Sequence, residues 1–182
     1  MLFNSLDFAL FLPIVFIIYW LFKNQFKVQN FIIVIASYIF YGWWDWRFLL
    51  LIVLSTVIDF SMANAMSVED RKGRRKLYLW ISILVNLGML GFFKYYNFFI
   101  DNFTSAFSFF GMEISPGTLD IVLPVGISFY TFQTLSYTID IYYERLKPTK
   151  NLLAFCTFVG FFPQLVAGPI ERASKLLPQF SV

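Results

Sequence analysis

Two aspartates in apolar stretches are the residues of this sequence with the clearest potential for acid–base chemistry. Asp59 lies in LSTVIDFSMANAM (54–66), and Asp140 closes LPVGISFYTFQTLSYTID (123–140). Ionisable side chains are expensive to place inside a membrane, so each aspartate is a candidate for function. Neither has a basic residue beside it in the sequence, and Asp140 lies near enough to the end of its segment to sit at the interface.

The groups that most often carry catalysis or bind metals are otherwise missing. The 182 residues contain no histidine, which removes the commonest general base and metal ligand. Cys156 is the single cysteine, so neither a disulfide within the chain nor a four-ligand zinc site of the usual kind is expected. We assign no catalytic residue and no metal site from the sequence.

A polar stripe runs along residues 123–140. Spacings of four and three residues place one set of side chains on a single helix face: Gly126, Tyr130, Gln133, Tyr137 and Asp140. A more apolar face carries Ser128, Phe132, Leu135 and Ile139. Pro124 is expected in the first turn, where its missing N–H costs nothing. Inside a bilayer the stripe must face protein or water, so it either joins helices through hydrogen bonds or lines a cavity or tunnel.

Two other helical segments carry polar or small residues. Ser55 and Ala63 share a helix face with Asp59, each four residues away from it. In VNLGMLGFFKYY (85–96), we interpret Asn86, Gly88 and Gly91 as a close-packing surface rather than a site.

The segment FFPQLVAGPIER (161–172) predicts a broken or re-entrant element. Pro163 and Pro169 flank Gln164 and Gly168, and two prolines within seven residues break a helix and free backbone carbonyls. Such a break is tolerated inside a membrane only against protein or water. Gln164 is therefore a further candidate for the polar core.

The composition indicates an integral membrane protein. Hydrophobic residues make up 59% of the chain and charged residues 14%, against about 25% charged in a typical soluble domain. The mean hydropathy of +0.69 agrees. A net charge of +3, scattered along the chain, gives no indication of a nucleic-acid partner.

A spanning helix needs about 20 mostly apolar residues, and the chain offers about six candidates. They lie at roughly 6–22, 30–44, 46–66, 77–93, 119–141 and 152–168. We therefore predict an all-α, polytopic transmembrane helical bundle that forms a single domain over 1–182. The aromatic stretch 95–111 is expected to lie flat in the interface, because Asp101 and Asn102 break it.

The basic residues predict an orientation with the N-terminus outside. In that orientation the inside loops 23–30, 67–76 and 142–151 hold two, five and three of the 14 Lys and Arg residues, leaving four outside. The aromatic segment YGWWDWR (41–47) then falls at the outer interface, where Trp and Tyr are enriched.

Five blocks, in order along nearly the whole chain, resemble the membrane-bound O-acyltransferase family, in particular its alginate O-acetyltransferase-like branch. They are FNSLDFALFLPIVFIIYWL (3–21), ASYIFYGWWDWRFLLLIVLSTVIDF (36–60), NLGMLGFFKYYNFF (86–99), LPVGISFYTFQTLSYTIDIY (123–142) and FFPQLVAGPIER (161–172). The resemblance implies a bacterial inner-membrane protein that passes an acyl group, donated by acyl-CoA or an acyl carrier, towards exopolysaccharide outside the cell. It also implies extracytoplasmic acyltransferase partners.

The resemblance also sets an expectation about completeness. Family members are more than twice this length, and the catalytic histidine of the family lies in their C-terminal half. The chain therefore resembles an N-terminal portion, and we expect it to need the missing C-terminal half of the fold for activity. Two further functions remain open: a non-catalytic membrane scaffold or assembly partner, and a small transporter built on the polar stripe.

Overall fold

The computed structural model describes residues 3–43, 45–109, 124, 126–169 and 171–180, without the side chains of 101, 103–109, 166 and 167. These residues form helices and no strand, as the sequence predicted. The helices are α1 (Leu6–Leu21), α2 (Phe26–Gly42), α3 (Arg47–Val68), α4 (Lys72–Phe109), α5 (Ile127–Tyr142), α6 (Leu152–Gly160), α7 (Phe162–Ala167) and α8 (Ala173–Phe180).

Local sequence explains where α1 and α6 begin. The Ser5 hydroxyl caps α1 by accepting a hydrogen bond of 3.2 Å from the backbone N–H of Phe8. The Asn151 side chain caps α6 in the same way, at 3.1 Å from the N–H of Ala154. Both caps satisfy backbone donors that a helix start leaves unpaired.

Among the described residues, two helical stretches are long and apolar enough to cross a membrane. They are Arg47–Val68 and, within α4, Lys72–Ile100. At about 1.5 Å per residue, the 38 residues of α4 extend for about 57 Å, well beyond a hydrocarbon core of about 30 Å. The apolar stretches in Leu6–Leu21 and Phe26–Gly42 are shorter. The number of spans and the orientation stay predictions.

The expected break at Asp101 and Asn102 is wrong. The helix α4 runs without interruption through both residues. The side chain of Asn102 donates a hydrogen bond of 2.7 Å to the carbonyl oxygen of Phe98, one turn earlier in the same helix. The aromatic stretch is therefore a continuation of α4 up to Phe109, and its last residues, 110 and 111, lie outside the described part of the chain.

The start of α5 also differs from the prediction. The helix begins at Ile127, so Pro124 precedes it rather than occupying its first turn, and residues 119–123 of the predicted span lie outside the described residues. Gly126 is the N-cap of α5 in a left-handed conformation, with φ of 79°, and is not on the helix face. The backbone can approach α7 here because glycine has no Cβ. A Cβ at this position would lie 2.6 Å from the carbonyl oxygen of Leu165.

The core forms where α5 meets α3, α4 and α6. At its centre the rings of Tyr137 and Phe155 lie 4.6 Å apart, and Phe158 lies 6.0 Å from Phe155. All three side chains are completely buried. Helix α1 lies at the edge and contributes no buried residue. The central position of α5 is what brings its polar side chains into contact with several other helices.

Candidate functional site

Asp59 lies at the centre of a buried polar cluster that joins α3, α4 and α5. The hydroxyl of Ser82 donates to one carboxylate oxygen at 2.5 Å, and Nδ2 of Asn86 lies 2.9 Å from both. The remaining members of this Asp59 cluster are Ser55, Thr134 and Thr138. All six residues are fully buried.

The hydroxyl of Ser55 can donate its proton to one of two nearby acceptors. Its hydroxyl lies 2.6 Å from Oδ1 of Asn86 and 3.4 Å from the Asp59 carboxylate. A hydroxyl carries one proton, so the shorter contact receives it. Asn86 therefore accepts from Ser55 through its oxygen and donates to Asp59 through its nitrogen, which fixes the orientation of its amide. No ion pair among the described residues involves Asp59, so its partners are these neutral donors.

The sequence prediction missed part of this cluster. Ser82 was not singled out, and Asn86 was assigned with Gly88 and Gly91 to a close-packing surface. A Cβ on either glycine would meet no atom within 4 Å, so among the described residues neither is a close-packing point. The available signal was the spacing of four residues between Ser82 and Asn86, which matches that between Ser55 and Asp59.

Helix α5 contributes Thr134 and Thr138 to the Asp59 cluster, and the side chains of the predicted stripe do not belong to it. The hydroxyl of Thr138 lies 3.3 Å from that of Ser82, and the hydroxyl of Thr134 lies 3.5 Å from that of Ser55. Both threonines also donate to carbonyls of the preceding turn, Thr134 to Thr131 and Thr138 to Thr134. Spacing of three and four residues along α5 was again the available signal.

Gln133 from the predicted stripe stabilises the break in the helix after α6. Its Nε2 donates a hydrogen bond of 2.8 Å to the carbonyl oxygen of Phe158. In an unbroken helix that carbonyl would accept from the N–H of Phe162, which instead donates to the hydroxyl of Ser37 at 3.2 Å. Pro163 has no N–H to offer the next carbonyl. The break predicted from the prolines is confirmed, and Gln133 and Ser37 satisfy the groups that it frees.

The two tyrosines of the stripe are buried, with different partners. The Tyr137 hydroxyl accepts a hydrogen bond of 3.1 Å from the N–H of Thr149, in the segment between α5 and α6. The Tyr130 hydroxyl is buried and has no hydrogen-bond partner among the described residues, and the same holds for the neighbouring hydroxyl of Thr131. Tyr137 therefore fixes a loop, and Tyr130 fills the core.

Asp140 and Gln164 lie apart from the Asp59 cluster. One carboxylate oxygen of Asp140 is 3.9 Å from the guanidinium of Arg145, which is largely exposed. Gln164 donates a hydrogen bond of 3.0 Å to the carbonyl oxygen of Pro169 and so closes the turn after α7. Of the six sequence candidates, only Asp59 belongs to the cluster.

A second polar arrangement joins the start of α4 to the end of α5. Arg75 forms an ion pair with Glu144 and donates a hydrogen bond of 3.0 Å to the carbonyl oxygen of Tyr142. The hydrogen bond and the positive charge of Arg75 hold the pKa of Glu144 below its usual value. The backbone N–H of Arg71, and then the side chain of Arg74, likewise lower the pKa of Glu69. We call the Arg75–Glu144–Tyr142 contact the Arg75 clamp.

The chemistry that these groups support is binding and positioning. The Asp59 cluster offers one carboxylate held by hydroxyls and an amide, with no histidine anywhere in the chain to pair with a nucleophile. Within the described ranges, no three side chains of the kind that ligate metals lie together. The cluster can join three helices and fix their rotation about their axes.

The chain is similar to known O-acetyltransferases along its whole length. "Probable alginate O-acetylase AlgI" from Pseudomonas aeruginosa is 41% identical, and its namesake from Azotobacter vinelandii is 38% identical, each over 100% of the chain. "Peptidoglycan O-acetyltransferase" from Helicobacter pylori is 34% identical over 99% of the chain. The chain covers 35%, 36% and 38% of these proteins, respectively.

The chain spans about a third of the length of the curated relatives that it matches. No family model and no solved structure matches it. The similarity covers 99–100% of the chain. The chain is therefore homologous over its full length to bacterial O-acetyltransferases of the membrane-bound O-acyltransferase type, which confirms the resemblance that its sequence blocks indicated.

Proposed function

We propose that the chain forms part of a membrane-bound O-acyltransferase that attaches acyl groups, acetyl above all, to an exopolysaccharide or another cell-surface polymer. The observation that carries this proposal is the identity of 34–41% with alginate and peptidoglycan O-acetyltransferases across the whole chain. The two named polymers differ, so the hydroxyl-bearing glycan is the common acceptor chemistry. The activity belongs, in this proposal, to the whole protein that includes these residues.

In the proposed setting the protein is a multi-pass protein of the bacterial inner membrane, with its N-terminus outside. The basic loops 67–76 and 142–151 should then both face the cytoplasm. The Arg75 clamp supports this, because it joins the end of α5 to the start of α4 and so places both loops at the same end of the bundle.

Site-directed labelling tests this orientation in intact cells. In a Cys156→Ala background, a single cysteine is introduced at Ser67 or at Ser5 and exposed to a membrane-impermeant maleimide. We expect the reagent to label position 5 and to reach position 67 only after the cells are permeabilised. Labelling of position 67 in intact cells would contradict the orientation.

The acyl donor in the proposal is an acyl-CoA or an acyl carrier on the cytoplasmic side, and extracytoplasmic acyltransferase partners complete the transfer. In this proposal, the described residues form a rigid part of the helical bundle of the acyltransferase. Gln133 holds the break between α6 and α7 against α5, and the Asp59 cluster holds α5 against α3 and α4. A break fixed in this way gives irregular backbone that is protected from lipid, as a tunnel wall within a membrane requires.

Reconstitution tests the enzymatic proposal. Acyl transfer to a hydroxyl needs a group that takes up the proton, and we place that group in the missing C-terminal half of the fold. The purified 182-residue chain in liposomes should therefore transfer no acyl group from acyl-CoA above a no-protein control. Adding the C-terminal portion of a relative as a second chain should produce transfer. Turnover by the 182-residue chain alone would overturn the assignment.

A further inference from the structure

An open apolar groove lies between α1 and α2, and α8 closes its floor. It has a volume of about 360 Å³, within the range of about 300–1,000 Å³ common for small-molecule sites. Its walls include Leu12, Phe16 and Tyr19 of α1, Phe26 and Ile33 of α2, and Leu176 of α8. We call it the α1–α2 groove.

The N-terminal half of α1 packs against the bundle through aromatic rings, with Phe8 and Phe11 at 5.9 and 6.1 Å from the ring of Phe40. The ring of Phe11 also lies 5.5 Å from that of Phe162 in α7. Near the end of α1, the carbonyl oxygen of Tyr19 accepts a hydrogen bond of 3.2 Å from Nε2 of Gln29. The floor is fixed separately, because Nδ2 of Asn30 donates to the carbonyl oxygen of Phe180 at 2.7 Å.

The outer rim of the groove is apolar and open. Leu12 is 44% exposed, Phe16 59% and Phe26 49%. In a protein of the membrane such a surface faces hydrocarbon, and a concave one offers more contact to a flexible chain than a flat helix face does. These exposures favour the acyl chain of a lipid as the occupant.

Positive charge lies at one end of the groove. Between Asp7 and Asp45 the sequence has no acidic residue, but it has Lys23 and Lys27 in and beside the turn that joins α1 to α2. Both lysines are exposed, and neither belongs to an ion pair of the described residues. Tyr19 and Phe26, which line the groove, flank this turn. An anion beside the turn would therefore meet two uncompensated cations.

We propose that the α1–α2 groove binds an anionic glycerophospholipid. One acyl chain lies along Leu12, Phe16 and Ile33, and the phosphate lies at Lys23 and Lys27. The α1 wall of the groove extends from Leu12 to Tyr19 beside the turn, about 10 Å along the helix axis at 1.5 Å per residue, and so accommodates part of an extended acyl chain. Basic side chains close to a membrane surface attract anionic headgroups, which supplies the preference for anionic over zwitterionic lipid.

Native mass spectrometry of the detergent-solubilised chain tests this site. The chain is equilibrated with equal amounts of phosphatidylglycerol and phosphatidylethanolamine, and the retained lipid is counted for each. We expect one retained phosphatidylglycerol in preference to phosphatidylethanolamine. The variant Lys23→Gln/Lys27→Gln should retain phosphatidylglycerol about fivefold less for each lysine removed. The matched control Lys147→Gln/Lys150→Gln, which removes two exposed lysines from another loop, should behave like the wild type.

Two further variants separate the headgroup from the acyl chain. Lys23→Arg/Lys27→Arg keeps the charge and should keep the lipid. Val15→Phe, a substitution on the α1 wall of the groove, should reduce retention of both lipids while leaving the lysines intact. Equal retention of the two lipids by the wild type, or unchanged retention by Lys23→Gln/Lys27→Gln or by Val15→Phe, would overturn the proposal. The last result would also favour another protein segment as the occupant of the groove.

Discussion

Nε2 of Gln133 donates a 2.8 Å hydrogen bond to the carbonyl oxygen of Phe158, an acceptor that the break after α6 leaves without its helical donor. This bond connects two features that are separate in the sequence: the polar stripe of α5 and the proline-containing segment 161–172. The stripe supplies at this point the hydrogen bond that makes the break tolerable inside an apolar bundle.

Replacing Gln133 by Leu should therefore destabilise the protein. The substitution introduces an apolar side chain of similar size and removes the amide that donates to the Phe158 carbonyl oxygen in the core. We expect a loss of about 1 kcal/mol, between the average of about 0.6 kcal/mol and the maximum of about 1.7 kcal/mol measured for side-chain hydrogen bonds between membrane helices. Denaturant unfolding in micelles measures it. Phe132→Leu, at a neighbouring position that is 47% exposed, is the control and should change stability by less than about 0.5 kcal/mol.

Stability should be more sensitive to substitution of Asp59 than to substitution of Asp140, which pairs with the exposed Arg145. Asp59→Asn turns one acceptor oxygen into a donor that faces Ser82 or Asn86, both of which already donate to it. We expect a cost of about 1–3 kcal/mol for the resulting unsatisfied group. Asp140→Asn should cost less than about 1 kcal/mol, because its partner Arg145 is 69% exposed and 3.9 Å away. Equal costs for the two variants would show that the cluster does not hold the helices together.

Two glycines should respond in opposite directions to the same substitution. Gly126→Ala places a Cβ 2.6 Å from the Leu165 carbonyl oxygen and forces an L-residue into φ of 79°, which alone costs about 1–2 kcal/mol. Gly88→Ala meets no atom within 4 Å and should stabilise α4 by up to about 1 kcal/mol. The melting temperatures of the two variants, compared with the wild type, measure the difference. A destabilising Gly88→Ala would mean that the face of α4 around this glycine is occupied.

The Arg75 clamp should make stability depend on acidic pH. Arg75 lowers the pKa of Glu144 in the folded protein below the ordinary value of 4.5. The contact between them therefore stabilises the fold fully above pH 4.5, and this stabilisation is lost as the pH falls through the lowered pKa. Glu144→Gln should therefore lower the melting temperature at pH 7. The difference in melting temperature between the variant and the wild type should become smaller at acidic pH. Glu171→Gln removes a carboxylate with no ion pair among the described residues and is the control. A constant gap across the acid range would contradict the clamp.

The sequence predicted the class of fold correctly, and it predicted the burial of Tyr130, Gln133 and Tyr137 in the α5 stripe, because these features depend on local pattern. Apolar composition and helical spacing are sufficient to place Gln133 and Tyr137 inside and Phe132 outside, and two prolines are sufficient to indicate a break. Leu135, which was expected on the more apolar face, is also buried. Helix α5 is surrounded on most sides, so the polarity of a face does not decide its exposure there.

The partners of Asp59 could not be derived in the same way. Asn86 is 27 residues from Asp59 along the chain, and their contact depends on how α3 and α4 are rotated against each other. That rotation is set by the packing of many side chains. The spacing of four residues within each helix can place Ser55 with Asp59 and Ser82 with Asn86, but it does not show that the two pairs face each other. The glycines near Asn86 suggested close packing because small residues often mark helix contacts in membranes, but no described atom would lie within 4 Å of a Cβ at either glycine.

A chimeric enzyme tests the proposed acyltransferase function most directly. This chain replaces the segment that it matches in the Pseudomonas aeruginosa relative, which is 41% identical to it, in a strain without its own copy. The relative with that segment deleted is the negative control, and the O-acetyl content of secreted alginate is measured chemically. We predict that the chimera restores O-acetyl groups well above the deletion. A chimera that reaches the membrane at the level of the intact relative and leaves the alginate without O-acetyl groups would contradict the account.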